Sequence, residues 1–326
     1  MESMTRRKII VAGAAAAGAC ALTGSPIKAA DEALVFKTKL RKALIQKLPD
    51  EKSLTPLKEA GFDGVECSDW SAAPEKAEEA RKVADRLGMK IHSVLRGWTQ
   101  FNDATKTAAD IASVETALRT SQILGADALL LVPCRIGGKD MAMPKPKEFR
   151  FEFDSKTGHV SKVVEGDNKP YEAYIQAHNQ AVDASRAAME KLIPAAEKTG
   201  VVIAHENVWN YLWVKPDLLA NFIGSFKSKW IQCYFDIGNH VKYAPAEEWI
   251  AALGKLIAKC HVKDFKLNDD PGGNGAFVDI RDGSVNWPVV RAALEKIGYS
   301  GWMTIEGGKL SVAEHSKRLD MIIAGK

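Results

Sequence analysis

Eight short apolar runs, each separated from the next by a helical stretch, leave this chain few architectures to fold into. The runs are Arg41–Gln46, Gly64–Cys67, Lys90–Val94, Ala128–Val132, Val201–Glu206, Ile231–Asp236, Ile257–Val262 and Gly301–Glu306. Strands alternating with helices pair in parallel, because each crossover helix returns the chain to the same end of the sheet. Eight such units predict a closed (β/α)8 barrel, the TIM barrel, rather than an open sheet, and such a barrel takes roughly 250 residues as one unit. The 326 residues present accommodate one.

The helical stretches carry their own punctuation. Pro74 opens Glu75–Leu87 and Gly88 ends it; Tyr171–Thr199 stops at Gly200; Ile111, Val114, Leu118, Ile123 and Leu124 recur near helical spacing. Ala60-Gly61-Phe62-Asp63-Gly64-Val65-Glu66 and Leu124-Gly125-Ala126-Asp127-Ala128 share one form, a helix end at glycine leading into a buried strand. Two segments interrupt the rhythm. Within 133–169, Phe149–Phe153 and His159–Val164 flank Asp154-Ser155-Lys156-Thr157-Gly158, which reads as a β-hairpin inserted after the fourth strand. The second, Asp264 to Ser284, is a long loop after the seventh strand, read either as a surface loop or as a lid.

Residues 1–29 are set apart from the fold. Thr5-Arg6-Arg7-Lys8 leads into an apolar run from Ile9 to Leu22 and a small-residue cleavage site at Ile27-Lys28-Ala29. The paired arginines resemble a twin-arginine export signal, which predicts a periplasmic or secreted protein with 30–326 as a single barrel domain. An uncleaved membrane anchor is the alternative, although the run is short for a span of roughly 20 residues; Cys20 as a lipidation site is a minor one. Loss of Arg6, Arg7, Lys8 and Lys28 against Glu2 lowers the formal charge from +4 to +1. No polybasic stripe then remains to track phosphates, which argues against a nucleic-acid partner, and the membrane is reached only through the export signal. Self-association is left open. Cys67, Cys134, Cys233 and Cys260 fall in or beside apolar runs without C-x-x-C spacing and read as small buried hydrophobes.

In a barrel the polar residue that closes a strand is the informative one, because the C-terminal face carries the chemistry. Here consecutive strands end in Glu206, Asp236, His261 and Glu306. Three carboxylates converging in a buried place repel one another unless protons or a cation offset the charge. One divalent metal is the simplest offset. Three oxygen donors and one imidazole favour Mn²⁺, with Mg²⁺, Co²⁺ or Zn²⁺ as alternatives. The competing reading pairs these carboxylates separately with Lys263, Arg281 or Arg96.

The runs Glu206-Asn207-Val208-Trp209-Asn210, Asp236-Ile237-Gly238-Asn239-His240, His261-Val262-Lys263-Asp264 and Ile305-Glu306-Gly307 resemble the xylose-isomerase-like sugar phosphate isomerase/epimerase superfamily. The branch they resemble most is that of ketose 3-epimerases and hexulose-phosphate isomerase/epimerases, over roughly Arg41 to Ile322. The resemblance implies that Glu206, Asp236, His261 and Glu306 hold the metal and that Glu206 and Glu306 move protons on opposite sides of a sugar. A metal gripping adjacent carbonyl and hydroxyl oxygens acidifies the hydrogen between them, so an enediolate forms and is reprotonated on the other face or the next carbon.

The same resemblance points to His240, Glu66 and His92 as substrate contacts, although His240 follows Asp236 by four residues where the epimerases usually place a histidine at three. Trp209, Trp213 and Trp98 follow strand ends and offer flat faces to a sugar, with core packing as the alternative. Lys263 shares a strand face with His261 and is a candidate hydrogen-bond donor to substrate or to a glutamate; Arg281 is a candidate anion contact. With no Gly-rich phosphate loop and an export signal, a free sugar, keto-sugar or glycoside is the expected substrate. The rival functions are a metal-dependent lyase or dehydratase acting on a keto-sugar or inosose, and an exported sugar-binding protein without catalysis.

Overall fold

The structure, a computed structural model, describes residues 35–138, 140–269 and 273–326. The expected export signal lies outside the described residues. Phe36–Lys326 form one compact body. Eight parallel strands close in the order β1 (Arg41–Gln46), β12 (Trp302–Ile305), β9 (Ile257–Val262), β8 (Ile231–Asp236), β7 (Val202–Glu206), β4 (Ala128–Val132), β3 (Lys90–Trp98) and β2 (Gly64–Cys67), which returns to β1. The helices α1 (Glu51–Glu59), α2 (Pro74–Arg86), α3 (Thr107–Leu124), α4 (Glu172–Thr199), α5 (Pro216–Ser225), α6 (Ala246–Leu253), α7 (Trp287–Ile297) and α8 (Val312–Ile323) alternate with them. Among the described residues no helix is long and apolar enough to cross a membrane.

Two-residue alternation divides the strands between two interiors. Leu129, Leu131, Ile203, Cys233, Phe235, Cys260, Val262, Met303 and Ile305 join the large core packed against the helices. Leu130, Val132, Ala204 and Tyr234 form a second cluster in the barrel lumen. A strand covered on both faces has no solvated side, which is why Ala128–Val132 is apolar throughout. Each fully buried Leu or Val side chain contributes about 1.5–3 kcal/mol of transfer free energy. Cys67, Cys134, Cys233 and Cys260 are buried and free.

Both interruptions are hairpins. β5 (Glu152–Phe153) pairs antiparallel with β6 (Val160–Lys162), and β10 (Asp264–Leu267) pairs antiparallel with β11 (Gly275–Val278). The segment read as a surface loop or lid therefore contains a two-stranded ribbon. β3 also outruns its expected end at Val94 and pairs with β4 as far as Trp98, after a register shift between Leu95 and Gly97. His92 consequently sits near the start of that strand, deep in the barrel, and does not close it.

Candidate metal centre

Lumen-facing alternation continues upward to the C-terminal rim. Register places Glu206 beside Tyr234, and His261 beside both Asp236 and Thr304, so the inward residues of β7, β8, β9 and the end of β12 meet. Ligand atoms from Glu206, Asp236, His261 and Glu306 all lie within 4.8 Å of one another. His261 Nδ1 is 2.9 Å from Glu306 Oε2, 3.5 Å from Glu206 Oε1 and 4.0 Å from Asp236 Oδ2. The first three residues are buried and Glu306 is half-buried.

The backbone aims each group. The two oxygens of Asp236 are used differently. Oδ1 accepts from the N–H groups of Gly238 (2.9 Å) and Asn239 (2.7 Å), whereas Oδ2 has no hydrogen-bond partner. Gly238 is required by close approach, since a Cβ there would stand 2.6 Å from the Lys263 carbonyl oxygen. Asn207 ties β7 to β8 by donating to the Asp236 carbonyl (2.8 Å) and accepting from its N–H (2.6 Å). The Asn239 amide donates to the Asn207 carbonyl at 3.0 Å and reaches Glu206 Oε1 at 3.4 Å. Beneath the cluster, His261 Nε2 is 2.9 Å from Glu66 Oε1, and Glu66 is itself held by the Ser93 hydroxyl. With Nε2–H donated to that carboxylate, Nδ1 is the nitrogen that faces the cluster, the arrangement that orients imidazole ligands in metal sites.

The electrostatics are those of a centre short of positive charge. Burial pushes the Glu206 carboxyl up to about 7, and burial likewise raises Asp236. Burial also disfavours ionised Glu306, but His261 and Lys263 outweigh it and hold this carboxyl below the ordinary range. His261 is raised well above a free imidazole because Glu66 and Glu306 overcome its desolvation. Lys263 Nζ lies 3.0 Å from Glu306 Oε2 and 3.3 Å from Asp236 Oδ2. Of the separate ion pairs weighed for these carboxylates, Lys263 alone has its contact, and it joins the cluster instead of dissolving it. Arg96 pairs with Asp110 at 3.3 Å.

The donor set fits a divalent cation. Asp236 Oδ2, Glu306 Oε2 and His261 Nδ1 are buried and face one another, and beyond the Lys263 ammonium and their mutual contacts they have no hydrogen-bond partner. Orphaned polar atoms cost free energy unless something satisfies them, and three oxygens with one nitrogen suit a hard or borderline ion.

The other residues singled out from sequence are dispersed. Glu66 reaches the centre only through His261. His92 stacks on Trp302 with ring centroids 4.3 Å apart and contacts the Thr304 hydroxyl at 2.9 Å, well inside the lumen. His240 is buried, its Nε2 3.0 Å from the Val208 carbonyl oxygen and its ring against Tyr243 and Trp249. Trp209 donates its indole N–H to the Asn239 carbonyl and packs on Phe265 and Phe277 beside the site. Trp213 is core, packed on His205 and Phe222. Trp98 is 44% exposed beneath the Arg135 guanidinium. Arg281 directs its guanidinium to Met321 on α8, apart from the cluster. Asn207, Asn239 and Ser93 are supports that sequence reasoning gave no role, although both asparagines stand inside the quoted motifs and so carried a signal.

A cleft of about 680 Å³ opens beside the cluster, lined in part by Glu306, Lys263, Lys266, Phe277 and Lys309. Glu306 and Lys263 thus face both the cluster and open space.

Comparison with known proteins follows the same outline. A family model described as xylose isomerase-like TIM barrel matches residues 54–320. An uncharacterized protein of Methanocaldococcus jannaschii is 26% identical over 176 residues, which is 53% of this chain and 57% of that one. The chain therefore aligns with little more than half of that relative. Among solved structures, 3-keto-D-glucoside 4-epimerase from E. coli superimposes with a TM-score of 0.64 at 13% identity, covering 87% of this chain and 99% of that one. A xylose isomerase-like TIM barrel protein from Mycobacterium smegmatis in complex with magnesium gives 0.60 at 18% identity, covering 89% and 96%. D-psicose 3-epimerase in the presence of D-fructose gives 0.57 at 12% identity, covering 87% and 96%. At these identities the structural likeness is one of fold.

Proposed function

This chain belongs to the xylose isomerase-like TIM barrel family, and on that premise we propose that it is a divalent-metal-dependent isomerase or epimerase of a free sugar, keto-sugar or glycoside. The observation that carries the reading is the convergence of three buried atoms, Asp236 Oδ2, Glu306 Oε2 and His261 Nδ1, whose contacts are one another and the Lys263 ammonium, with Glu206 Oε1 alongside. Glu206, Asp236, His261 and Glu306 would hold the metal. When bound, it supplies Lewis acidity that lowers the pKa of a carbon-bound hydrogen next to a sugar carbonyl.

The chain's own residues supply the rest. Two carboxyls whose environments pull their proton affinities apart make an acid and base pair. Glu306, held ionised by His261 and Lys263 and open to the cleft, accepts the proton at a carboxylate oxygen. Glu206, whose proton affinity burial raises, is the candidate to return a proton. Lys263 places its ammonium where negative charge grows on substrate oxygen, and Asn239 fixes both Lys263 (3.2 Å) and Glu206. A substrate of the opposite handedness at the reacting carbon would exchange these two roles. Export through a twin-arginine signal is part of the same proposal, since transport after folding lets the centre be filled inside the cell.

The test is metal analysis of the purified chain followed by a screen of ketoses and aldoses in heavy water read by NMR. The proposal expects one equivalent of divalent metal, metal-dependent incorporation of deuterium at a single carbon, and a stereoisomer or positional isomer as product. Loss of water or of a leaving group without any isomer would identify a lyase instead. Binding of sugar and metal without deuterium exchange would identify a non-catalytic binding protein.

A further inference from the structure

The long segment after β9 folds so that an aromatic face stands exposed beside the metal centre. Phe277, on β11, is 44% exposed and lines the same cleft as Glu306 and Lys263. Side chains of this kind are usually buried, and covering the exposed part of one is favourable. This ring is held in place. Its centroid lies 4.9 Å from that of Trp209 at a 30° tilt and 5.2 Å from Phe265 edge-on, and the Lys263 ammonium is 5.1 Å from its centre. Trp209 is in turn pinned to the Asn239 carbonyl, whose side chain steadies Glu206. The exposed face is therefore built on the supports of the centre.

The cleft, about 680 Å³, runs from Glu306 and Lys263 past Phe277 to Lys266, Asp282 and Lys309. Its rim is polar: Lys266 and Lys309 project there and form no ion pair among the described residues. A flat apolar face with ammonium donors around it complements a pyranose ring, whose C–H face stacks on aromatic carbon while its hydroxyls accept and donate at the edge.

We propose that Phe277 stacks on a second sugar ring, so that the substrate is a glycoside whose keto-sugar residue sits at the metal centre. This rests on the isomerase or epimerase reading above. The step asks for no chemistry beyond that reading; it assigns Phe277 as a specificity residue.

The experiment compares the metal-loaded wild type with Phe277→Ala and Phe277→Trp, using D-fructose against lactulose, maltulose and isomaltulose. Saturation-transfer NMR reads binding, and deuterium exchange reads turnover. The expected result is transfer to protons of the non-ketose ring in the wild type. Phe277→Ala should raise KM or Kd for the best disaccharide at least about ten-fold more than for D-fructose, and Phe277→Trp should restore most of that difference. Equal losses on both sugar classes, or no binding of any disaccharide, would overturn the proposal. So would a Phe277→Ala change confined to oligomer mass in light scattering, which would make this face a surface for self-association. Absence of exchange with every sugar, with second-ring transfer retained and lost in Phe277→Ala, would sink the catalytic reading and leave the platform standing.

Discussion

Asp236 and Asp264 are both fully buried carboxylates near the rim of adjacent strands, and the structure uses them in opposite ways. Asp264 is saturated. Its Oδ1 accepts from the N–H groups of Phe265 (2.9 Å) and Val285 (3.2 Å), and its Oδ2 from those of Arg281 (3.0 Å) and Gly283 (3.1 Å) and from the Trp287 indole (3.1 Å). Gly283 is glycine because a Cβ there would lie 2.0 Å from Asp264 Oδ1. Asp236 satisfies one oxygen from the backbone and turns the other toward Glu306 and His261, with only the Lys263 ammonium, 3.3 Å away, beside it. A carboxylate that takes hydrogen bonds on both oxygens from its own loop organises that loop; one that turns an oxygen toward two further carboxylates and an imidazole, with a single ammonium among them, is arranged to take a further cation.

The largest effects should come from exchanging the two carboxylates in turn. Asp236→Asn should abolish stoichiometric metal binding and the metal-induced rise in Tm, with loss of deuterium exchange beyond the roughly 10–100-fold that removal of an outer supporting partner brings. Its metal-free stability should hold or increase, because one member of a mutually repelling set has gone. Asp264→Asn should do the reverse: an amide N–H would face backbone donors, costing about 3 kcal/mol in urea unfolding, while the folded variant still takes one equivalent of metal. Similar losses of stability in both variants would erase the contrast.

A second prediction sharpens it, because bare buried atoms also occur away from the centre. His178 on α4 leaves Nε2 unpartnered, and burial holds its imidazole down to about 4. With the folded value below the ordinary 6.5, the neutral form is favoured in the fold. Its contribution is fully present above about pH 6.5 and is lost as pH falls through about 4, by up to about 3 kcal/mol. Urea midpoints measured from pH 7 to 4 should fall less steeply in His178→Gln than in the wild type. Parallel curves would mean that the ring finds a partner, and lone orphaned atoms would regain weight as markers of ligand sites. The distinguishing feature of the centre is convergence, which His178 lacks.

The smallest expected effect concerns the support under His261. Glu66→Gln should weaken metal affinity by about 10–100-fold while leaving one equivalent bound at saturation, read by competition with a chelating dye. No change in affinity would reduce Glu66 to a filler of the lumen.

Much of the fold was legible because two periods were written plainly. Apolar runs alternating with helical stretches called for a parallel closed sheet, and Glu206, Asp236, His261 and Glu306 stood out as polar residues ending apolar strands. The hairpin at Glu152–Lys162 followed from its Asp154–Gly158 turn. The long segment after β9 was less legible, since Asp264–Leu267 and Gly275–Val278 pair with each other across an intervening stretch rich in Gly and Pro. His92 lies lower in the barrel than a strand ending at Val94 implies, because β3 runs on to Trp98 and pairs with β2 through a register shift between Val65 and Glu66, and neither has a local signature.

By itself the sequence determined which residues face the lumen and which face the helices, because side-chain direction along a strand alternates whatever the surroundings. The tertiary structure alone decided which of those inward groups would meet bare atoms and which would find partners. Glu66 under His261, Lys263 between Asp236 and Glu306, and the saturated Asp264 are all set by contacts between strands distant in the chain. Hydrogen-bond satisfaction depends on distances of a few tenths of an ångström, and those come from register and closure of the barrel, which no local pattern encodes.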